Sequence, residues 1–254
     1  MSLNQNTLLQ AVTRYWDKRA ASYSQSNQAE LHSDKRAKWQ RCLLAHAPQG
    51  KKLKVLDIGT GPGFFAIVMA QAGHEVCAID ATDNMLAQAR NNAERAGVSI
   101  EFHQGDVQRL PFADESFDLV VSRNVTWNLK LPEQAYAEWY RVLKCGGRLL
   151  NFDANWYLHL FDDGYRQGYL ADRAATARLG LDDHYVNTDT VAMENIAREL
   201  PLSRRLRPHW DMQTLLNIGF SKFILDSRIG DQLWDETEKI NYASTPMFMI
   251  AAEK

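Results

Sequence analysis

The chain has 254 residues, of which 45% are hydrophobic and 24% charged, and its formal net charge is −2. This length can hold one large α/β domain with an insertion. The near-neutral charge shows no basic excess of the kind that favours binding to nucleic acid or to an anionic membrane. The sequence lacks a run of about 18 apolar residues that could span a membrane, and polar residues follow Met1 where a signal peptide would be apolar. Three scattered cysteines argue against a disulfide framework, so a cytoplasmic location is expected.

A glycine-rich turn follows a short apolar run, Val55 to Ile58, which is typical of a buried strand. The glycines let the backbone turn sharply and approach a ligand closely. A dinucleotide would place its pyrophosphate at the start of the next helix, where the carboxylate of Asp57 offers it nothing favourable. Asp57 suits a ligand that carries positive charge. S-adenosylmethionine has such charge on its amino group and its sulfonium, so the turn predicts methyl transfer rather than hydride transfer.

A second acid, Asp80, stands at the end of the next predicted strand, residues 75–79. A carboxylate at this place accepts hydrogen bonds from both ribose hydroxyls of a nucleoside. The alternative is that Asp80 caps the following helix, although Thr82 or Asp83 could do so. Together with Asp57, this residue favours a nucleoside-binding site.

Strand and helix patterns alternate along most of the chain, which predicts a parallel sheet covered by helices on both faces. Residues 6–46 are predicted to be helical from the spacing of their apolar side chains. The predicted strands are 53–58, 75–79, 99–103, 117–121, 147–153, 219–225 and 246–252, and further helices are 63–72, 83–96, 132–143 and 212–218.

Several motifs now resemble, in order and spacing, those of the class I S-adenosylmethionine-dependent methyltransferases. The similarity is to the small-molecule branch that contains the ubiquinone and menaquinone biosynthesis methyltransferases, and it spans about residues 53–153, the cofactor half of this fold. The matching residues are 55–63, Ile79-Asp80, Met85-Leu86, Gly105-Asp106, Leu110-Pro111-Phe112, Phe117-Asp118, 141–144 and Gly146-Gly147. One departure is Cys145, which stands where this family often has a proline.

The resemblance implies an α/β fold with a doubly wound seven-stranded sheet of strand order 3-2-1-4-5-7-6, whose last strand is antiparallel. It also implies N-terminal helices and a helical lid inserted after the fifth strand. The expected segments are a helical cap over residues 1–47, a Rossmann-like cofactor-binding core over 48–153, a substrate-binding lid over 154–209, and the rest of the sheet over 210–254.

The resemblance further implies which residues hold the cofactor, S-adenosylmethionine. Asp57 and the glycines would line its methionine end, Asp80 its ribose and Asp106 its adenine, while Tyr23 would reach down from the cap. At Arg123 the family uses the backbone carbonyl. The full predicted set is Tyr23, Asp57, Gly59, Thr60, Gly61, Asp80, Ala81, Met85, Gly105, Asp106, Val107 and Arg123.

The methyl acceptor is predicted to contact the loop after the fourth strand and the lid. Candidate substrate-binding residues are Asn124, Trp127, Asn128, Trp156, His184 and Tyr185. A base is needed only if the acceptor is protonated; Asp153 and His159 are the predicted catalytic pair, with His184 and His209 as further candidates. Aromatic residues of the lid suit either an acceptor pocket or a lid core.

No metal is predicted, because the sequence has no HxxxH, HExxH or paired CxxC pattern. The basic run with Arg204, Arg205 and Arg207 suits either an anionic substrate or, more simply, a solvated loop. The sequence thus predicts a methyltransferase acting on a small molecule, with an oxygen, nitrogen, sulfur or carbon acceptor left open. The alternatives are a non-catalytic cofactor-binding sensor, a nucleic-acid methyltransferase and an NAD-dependent oxidoreductase. No nucleic-acid or membrane partner is expected, and the oligomeric state is open.

Overall fold

Seven strands form one mixed sheet in the computed structural model, which describes residues 5–50, 52–185 and 188–254. The strands are β1 (Lys54–Ile58), β2 (Glu75–Asp80), β3 (Glu101–Gln104), β4 (Phe117–Arg123), β5 (Leu143–Asp153), β6 (Ser221–Asp226) and β7 (Phe248–Glu253). Their order is β3-β2-β1-β4-β5-β7-β6, and β7 runs antiparallel to both β5 and β6. The predicted doubly wound sheet, its strand order and its antiparallel last strand are confirmed.

Helices occupy the connections between the strands. They are α1 (Gln5–Leu31), α2 (Asp34–His46), α3 (Phe64–Gln71), α4 (Asp83–Arg95), α5 (Pro132–Val142), α6 (Asp163–Leu179), α7 (Thr190–Ala197), α8 (His209–Ile218), α9 (Gly230–Leu233) and α10 (Glu236–Asn241). The stretch predicted as helical over 6–46 divides at Ser33, whose side chain caps α2 by accepting a hydrogen bond from the amide of Lys35. In the described part of the chain, no helix has both the length and the apolar character that a membrane span requires.

The division into cap, core, lid and C-terminal segments stays a prediction. α1 and α2 lie within the predicted cap, and α6 and α7 within the predicted lid. Residues 1–4, 51 and 186–187 of those segments lie outside the described residues.

Alternating side chains of the central strands point into two apolar layers, one on each face of the sheet. Val55 and Leu119 pack with Trp39 of α2 in one layer, whereas Leu56 and Val120 pack with Trp139 of α5 in the other. All six side chains are buried. Because both faces are covered by helices, a ligand of polar character can reach the sheet only at its edge, beyond the ends of the strands.

Helix α1 lies over that edge and is fastened at several points along its length. Leu8 and Val12 pack against Trp127, which follows β4. Near its C-terminus, Glu30 accepts two hydrogen bonds of 3.0 Å from the guanidinium of Arg123, the last residue of β4. α1 is therefore a wall of whatever site lies between it and the sheet.

A buried ion-pair network joins the segment before α8 to the sheet. Arg207 and both of its carboxylate partners are inaccessible to solvent. Its Nη1 lies 2.7 Å from Oδ2 of Asp153 at the end of β5, and its Nε donates to Oδ2 of Asp211 in α8 at 2.9 Å. The expectation of a solvated loop is wrong for Arg207, whereas Arg204 and Arg205 are exposed. Sequence could not separate the three arginines, since the carboxylate partners of Arg207 lie far away in the chain or on the next helix.

Replacing Arg207 tests this network. Arg207→Met keeps much of the side-chain volume but leaves two buried carboxylates unpaired, so we expect the free energy of unfolding to fall by about 3–5 kcal/mol. Urea denaturation followed by far-UV circular dichroism measures the change. Arg205→Met, on the exposed part of the same segment, is the matched control and should change stability little. Equal stability of the two variants would contradict a structural role for the network.

Candidate active site

A cavity of about 1020 Å³ lies between α1 and the carboxyl ends of the strands. Its lining comes from the turn after β1, the ends of β2, β3 and β4, and the inner face of α1. We call it the cofactor cavity. This is the place where open α/β sheets bind their ligands, because neighbouring connections diverge to opposite faces there.

The glycine turn forms one side of the cofactor cavity. Gly59 and Gly61 both have positive φ, of 60° and 52°, a backbone conformation that favours glycine. A Cβ atom added at Gly59 would stand 2.6 Å from Cγ2 of Val125, so no side chain fits there without displacement. At Gly61 the nearest atoms belong to Tyr23, at 3.7 Å, and Met85, at 4.0 Å. Tyr23 and Met85 both face the cavity. Together with Gly59 and Gly61, four predicted cofactor-binding residues therefore lie side by side.

Asp57 lies at the base of this turn and is almost completely buried. Its Oδ2 accepts hydrogen bonds from Oγ1 of Thr60 at 2.6 Å and from the amide of Ala66 at 3.0 Å. Among the described residues, no hydrogen-bond partner is found for Oδ1. Burial raises the pKa of Asp57 to about 7, although both hydrogen bonds favour the ionised form. A cationic group placed in the cavity would stabilise the ionised form of this buried carboxyl group.

Asp80 also lines the cofactor cavity. Its Oδ1 accepts hydrogen bonds from the amide and the hydroxyl of Thr82, and its Oδ2 accepts one of 2.9 Å from the amide of Gly61. Burial raises its pKa. Helix α4 begins at Asp83 with Thr82 as its N-cap, so Asp80 does not occupy the alternative capping position. Oδ2 retains capacity to accept from a ligand hydroxyl.

The far end of the cavity is formed by the residues after β3. Asp106 and Val107 line it as predicted, together with Gln108, whose amide and Nε2 both donate to Oδ1 of Asp106 at 2.9 Å. Gly105 is not part of the lining. Its amide donates to the backbone oxygen of Asp80, and a Cβ atom there would lie 3.0 Å from Cδ1 of Ile79. Gly105 thus packs between β2 and β3, and its contact with the cofactor stays a prediction.

Arg123 lines the cavity, but its side chain is already engaged. In addition to its two bonds with Glu30, the guanidinium carbon lies 4.5 Å from the ring centre of Phe64 and 5.1 Å from that of Trp39. The charge of Arg123 is therefore used to hold α1 against the sheet. This leaves its backbone as the part that could face a ligand, as the family resemblance implies.

A second cavity, of about 650 Å³, adjoins the first and is walled mainly by aromatic rings. We call it the aromatic chamber, and its lining consists of Tyr15, Trp16, Arg19, Tyr23, Asn124, Trp127, Trp156, Tyr157, His184, Tyr185, Thr188, Met193 and Tyr242. Trp16, Tyr23 and Asn124 line both cavities. Five of the predicted substrate-binding residues lie in the chamber, and the sixth, Asn128, lies in the cofactor cavity.

The predicted catalytic residues lie elsewhere. Oδ1 of Asp153 accepts hydrogen bonds from the amide of Ala154 and from Nε1 of Trp156, and Oδ2 accepts from the amide of Trp127 and from Nη1 of Arg207. Asp153 lines neither cavity, and a carboxylate so engaged is a poor base. The structure thus argues against the role predicted for Asp153, since its position at a strand end does not reveal how many donors the tertiary structure supplies.

His159 likewise lines neither cavity. Its ring is buried and stacks on Tyr169 with a centroid distance of 4.3 Å and an interplanar angle of 6°. Burial lowers its pKa. The ring belongs to the packing of the lid, which argues against its predicted catalytic role. His209, a further candidate, is the exposed first residue of α8.

His184 is the histidine that does line the aromatic chamber. Its Nδ1 lies 3.1 Å from the hydroxyl of Tyr242, and its amide donates to Oδ1 of Asn241 at 3.2 Å. Arg173 fixes the same segment, because its guanidinium bonds both Asn241 and Asp183. Nε2 of His184 has no hydrogen-bond partner among the described residues. The imidazole is thus oriented through one nitrogen while the other stays available.

One group of potential metal ligands lies outside the two cavities. Cys77, Glu101 and His103 bring a ligand atom each within 4.8 Å of one another on β2 and β3. Burial and the neighbouring carboxylate of Glu101 raise the pKa of the Cys77 thiol to about 12, and its Sγ donates to Oε2 of Glu101. A protonated thiol is a poor metal ligand.

Several lining residues were not predicted from the sequence. Leu8, Leu9, Val12 and Thr13 of α1 face the cofactor cavity, and the helical spacing of the apolar ones was the signal for an inward face. Arg19 and Tyr242 face the aromatic chamber. For Tyr242 no local signal exists, because it reaches the chamber from α10, far along the chain.

Comparison with known proteins agrees with this geometry. Residues 56–151 match a family model described as a methyltransferase domain. A malonyl-[acyl-carrier protein] O-methyltransferase of Erwinia pyrifoliae is 38% identical over 142 residues, which cover 56% of this chain and 50% of the relative. A demethylmenaquinone methyltransferase of Deinococcus radiodurans is 39% identical over 114 residues, covering 44% and 47%. The chain thus spans about half the length of the curated relatives it matches.

Solved structures share the fold at low sequence identity. A phosphoethanolamine-type N-methyltransferase of Haemonchus contortus, solved with S-adenosylhomocysteine, superposes with a TM-score of 0.58 at 17% identity over 85% of this chain and 52% of its own. The [4+2]-cyclase SpnF superposes with a TM-score of 0.56 at 17% identity over 85% and 79%. Because one of the two is named as a cyclase, the fold alone does not decide the reaction. With the sequence match, however, residues 56–151 belong to the methyltransferase-domain family, and the chain has the fold of the class I S-adenosylmethionine-dependent methyltransferases.

Proposed function

We propose that this chain transfers the methyl group of S-adenosylmethionine to a small-molecule acceptor bound in the aromatic chamber, with His184 as general base. The observation that carries the proposal is the junction of the two cavities at Trp16, Tyr23 and Asn124. A methyl donor in one cavity and an acceptor in the other would meet there. The curated relatives are named for acyl-carrier-protein and quinone acceptors, which supports an acceptor that is not a nucleic acid.

The cofactor cavity offers a complementary group for each part of the donor. Asp57 would face the cationic amino group, Asp80 the ribose hydroxyls, and Asp106 and Val107 the adenine. Met85 adds an apolar surface beside the glycine turn. When bound, S-adenosylmethionine supplies an electrophilic methyl carbon whose sulfur leaves as a neutral thioether. The chain's main contribution is alignment, which can be worth roughly 7–11 kcal/mol.

His184 would remove the proton of an acceptor hydroxyl, amine or thiol. In the tautomer with hydrogen on Nδ1, the imidazole donates to the Tyr242 hydroxyl, and its Nε2 lone pair is free to take the proton as the new bond to carbon forms. Tyr242 acts as a positioning residue, since it holds the ring without touching the reacting atoms.

The proposal is tested first by incubating the protein with radiolabelled S-adenosylmethionine and panels of small amines, phenols, thiols and acids. Transfer of label to any acceptor supports it. Tight binding of S-adenosylhomocysteine without transfer across all panels would favour the non-catalytic alternative instead. Binding of NAD but not of S-adenosylhomocysteine would favour the alternative of an NAD-dependent oxidoreductase.

The affinity for S-adenosylhomocysteine, which keeps the amino group, should depend on pH through Asp57. The pKa of this carboxyl is raised to about 7, so the group loses its charge as the pH falls below that value. The dissociation constant should then rise by up to about tenfold per pH unit below pH 7, the limit for one linked proton. Titration calorimetry of the wild-type protein at several pH values gives the profile. Asp57→Asn should bind weakly with a flat profile; an unchanged profile in this variant would assign the titration to another group.

Removing the charge of Asp80 should weaken binding of S-adenosylhomocysteine by about 2 kcal/mol, since a hydrogen bond to a charged group is worth about 1.5–3 kcal/mol. The variant is Asp80→Asn, measured by the same calorimetry. Asp83→Asn, an exposed acid in the first turn of α4, is the matched control. Equal affinities of both variants would exclude Asp80 from the ribose site.

The role of His184 predicts a loss of turnover without a loss of cofactor binding. His184→Gln should lower kcat by about 10²–10⁴ for a protonated acceptor found in the panels, while Kd for S-adenosylhomocysteine stays unchanged. Tyr242→Phe should show a smaller decrease, and the exposed His209→Gln none. Wild-type turnover by His184→Gln would remove His184 from the mechanism.

A further inference from the structure

Two hydrogen-bond donors of α1 are left without a partner beside the aromatic chamber. Nε1 of Trp16 and Nε of Arg19 are shielded from solvent, and neither has a hydrogen-bond partner among the described residues. Both residues line the chamber, and positions i and i+3 of a helix share one face. A buried donor without an acceptor is costly. A ligand group that accepts hydrogen bonds from both would remove that cost.

The charge of the chamber also favours a ligand group that accepts hydrogen bonds. No ion pair or hydrogen bond joins the guanidinium of Arg19 to any residue in the described ranges. Among the described residues, the lining contains neither aspartate nor glutamate. Glu194, the acid near the neighbouring His159, lies outside the lining, with its Oε1 3.9 Å from His159 Nε2. Arg19 is thus an unneutralised cation at a largely apolar wall.

The remaining walls are aromatic rings in contact with one another. Trp127 lies 5.0 Å from Tyr157 between ring centres, and Trp156 lies 5.2 Å from Tyr242. Such walls attract flat rings, and they also attract cations. A cationic acceptor would meet the guanidinium of Arg19 and, at the junction, the sulfonium of the donor. The electrostatics therefore favour a flat ligand whose charged group is negative.

We infer that the acceptor is a planar aromatic molecule that carries an anionic group, of the carboxylate class, bound by Arg19 and by Nε1 of Trp16. A guanidinium and an indole N–H can both donate to the same anion, and both hydrogen bonds are charge-assisted because the acceptor is ionised. The inference rests on the proposed function, because it names the occupant of the chamber in which the acceptor is placed.

The carboxylate of the cofactor itself is the competing partner for Arg19. Against it stands the position of the residue: Trp16 lines both cavities, whereas Arg19 lines only the aromatic chamber of the two. The two assignments differ in what a change at Arg19 does. Loss of a cofactor contact weakens binding of S-adenosylhomocysteine, and loss of an acceptor contact does not.

The test uses the full chain saturated with S-adenosylhomocysteine, so that bound acceptors cannot react. Matched sets of 4-hydroxybenzoate, 4-hydroxybenzamide and 4-hydroxybenzylamine, and of the corresponding indole-3-carboxylate series, are titrated by calorimetry. In at least one set the acid should bind roughly 10- to 100-fold more tightly than the amide, as expected for a charge-assisted hydrogen bond, and the amine should bind most weakly. No advantage of the acid in either set, or tighter binding of the amine, would overturn the inference.

Variants of α1 then assign the effect to residues. Arg19→Gln should abolish the preference for the acid over the amide while leaving the affinity for S-adenosylhomocysteine unchanged. Trp16→Phe, which keeps the ring and removes the N–H, should reduce the preference partly. Arg14→Gln, at an exposed position of the same helix, is the matched control and should retain it. Weaker binding of S-adenosylhomocysteine by Arg19→Gln would assign Arg19 to the cofactor and overturn the inference, whereas failure of the wild-type protein to bind S-adenosylhomocysteine would refute the proposed function itself.

Discussion

The buried carboxylate of Asp153 is the interaction on which the shape of the acceptor side depends. It accepts hydrogen bonds from the amide of Trp127 and the indole of Trp156, two walls of the aromatic chamber. Its ion pair with Arg207 joins the end of β5 to α8. A buried charge that lost one of these donors would be strongly destabilised. Asp153 therefore holds two walls of the chamber in place without lining it. Its position at the end of a central strand is compatible with this structural role as well as with catalysis.

Helix α1 couples the two cavities because it lines both of them. Its inner face presents apolar residues to the cofactor cavity, and Trp16 and Tyr23 lie at the junction. The pair between Glu30 and Arg123 anchors its end to the sheet. The position of α1 therefore shapes both cavities. The same helix carries the two unpaired hydrogen-bond donors that we propose bind the acceptor.

The cofactor half could be predicted from the sequence in detail because its determinants are local. Asp57 and the glycines lie within one turn, and Asp80 and Asp106 each follow their own strand. In a parallel sheet the ends of neighbouring strands meet at one edge, so a correct strand order brings these residues together. Gly105 marks the limit of this reasoning, since adjacency to Asp106 does not tell which backbone atoms line the cavity.

The sequence by itself determined the fold, the cofactor cavity and the charge that suits its ligand. Only the tertiary structure decided which polar residues are free to act. Asp153, His159 and His184 are all candidates along the chain. Four donors engage Asp153, two of them from distant segments, the ring of Tyr169 stacks on His159, and one nitrogen of His184 is left open to the chamber. The physical reason is that availability for catalysis depends on what surrounds a group in space, and those surroundings come from residues remote in sequence.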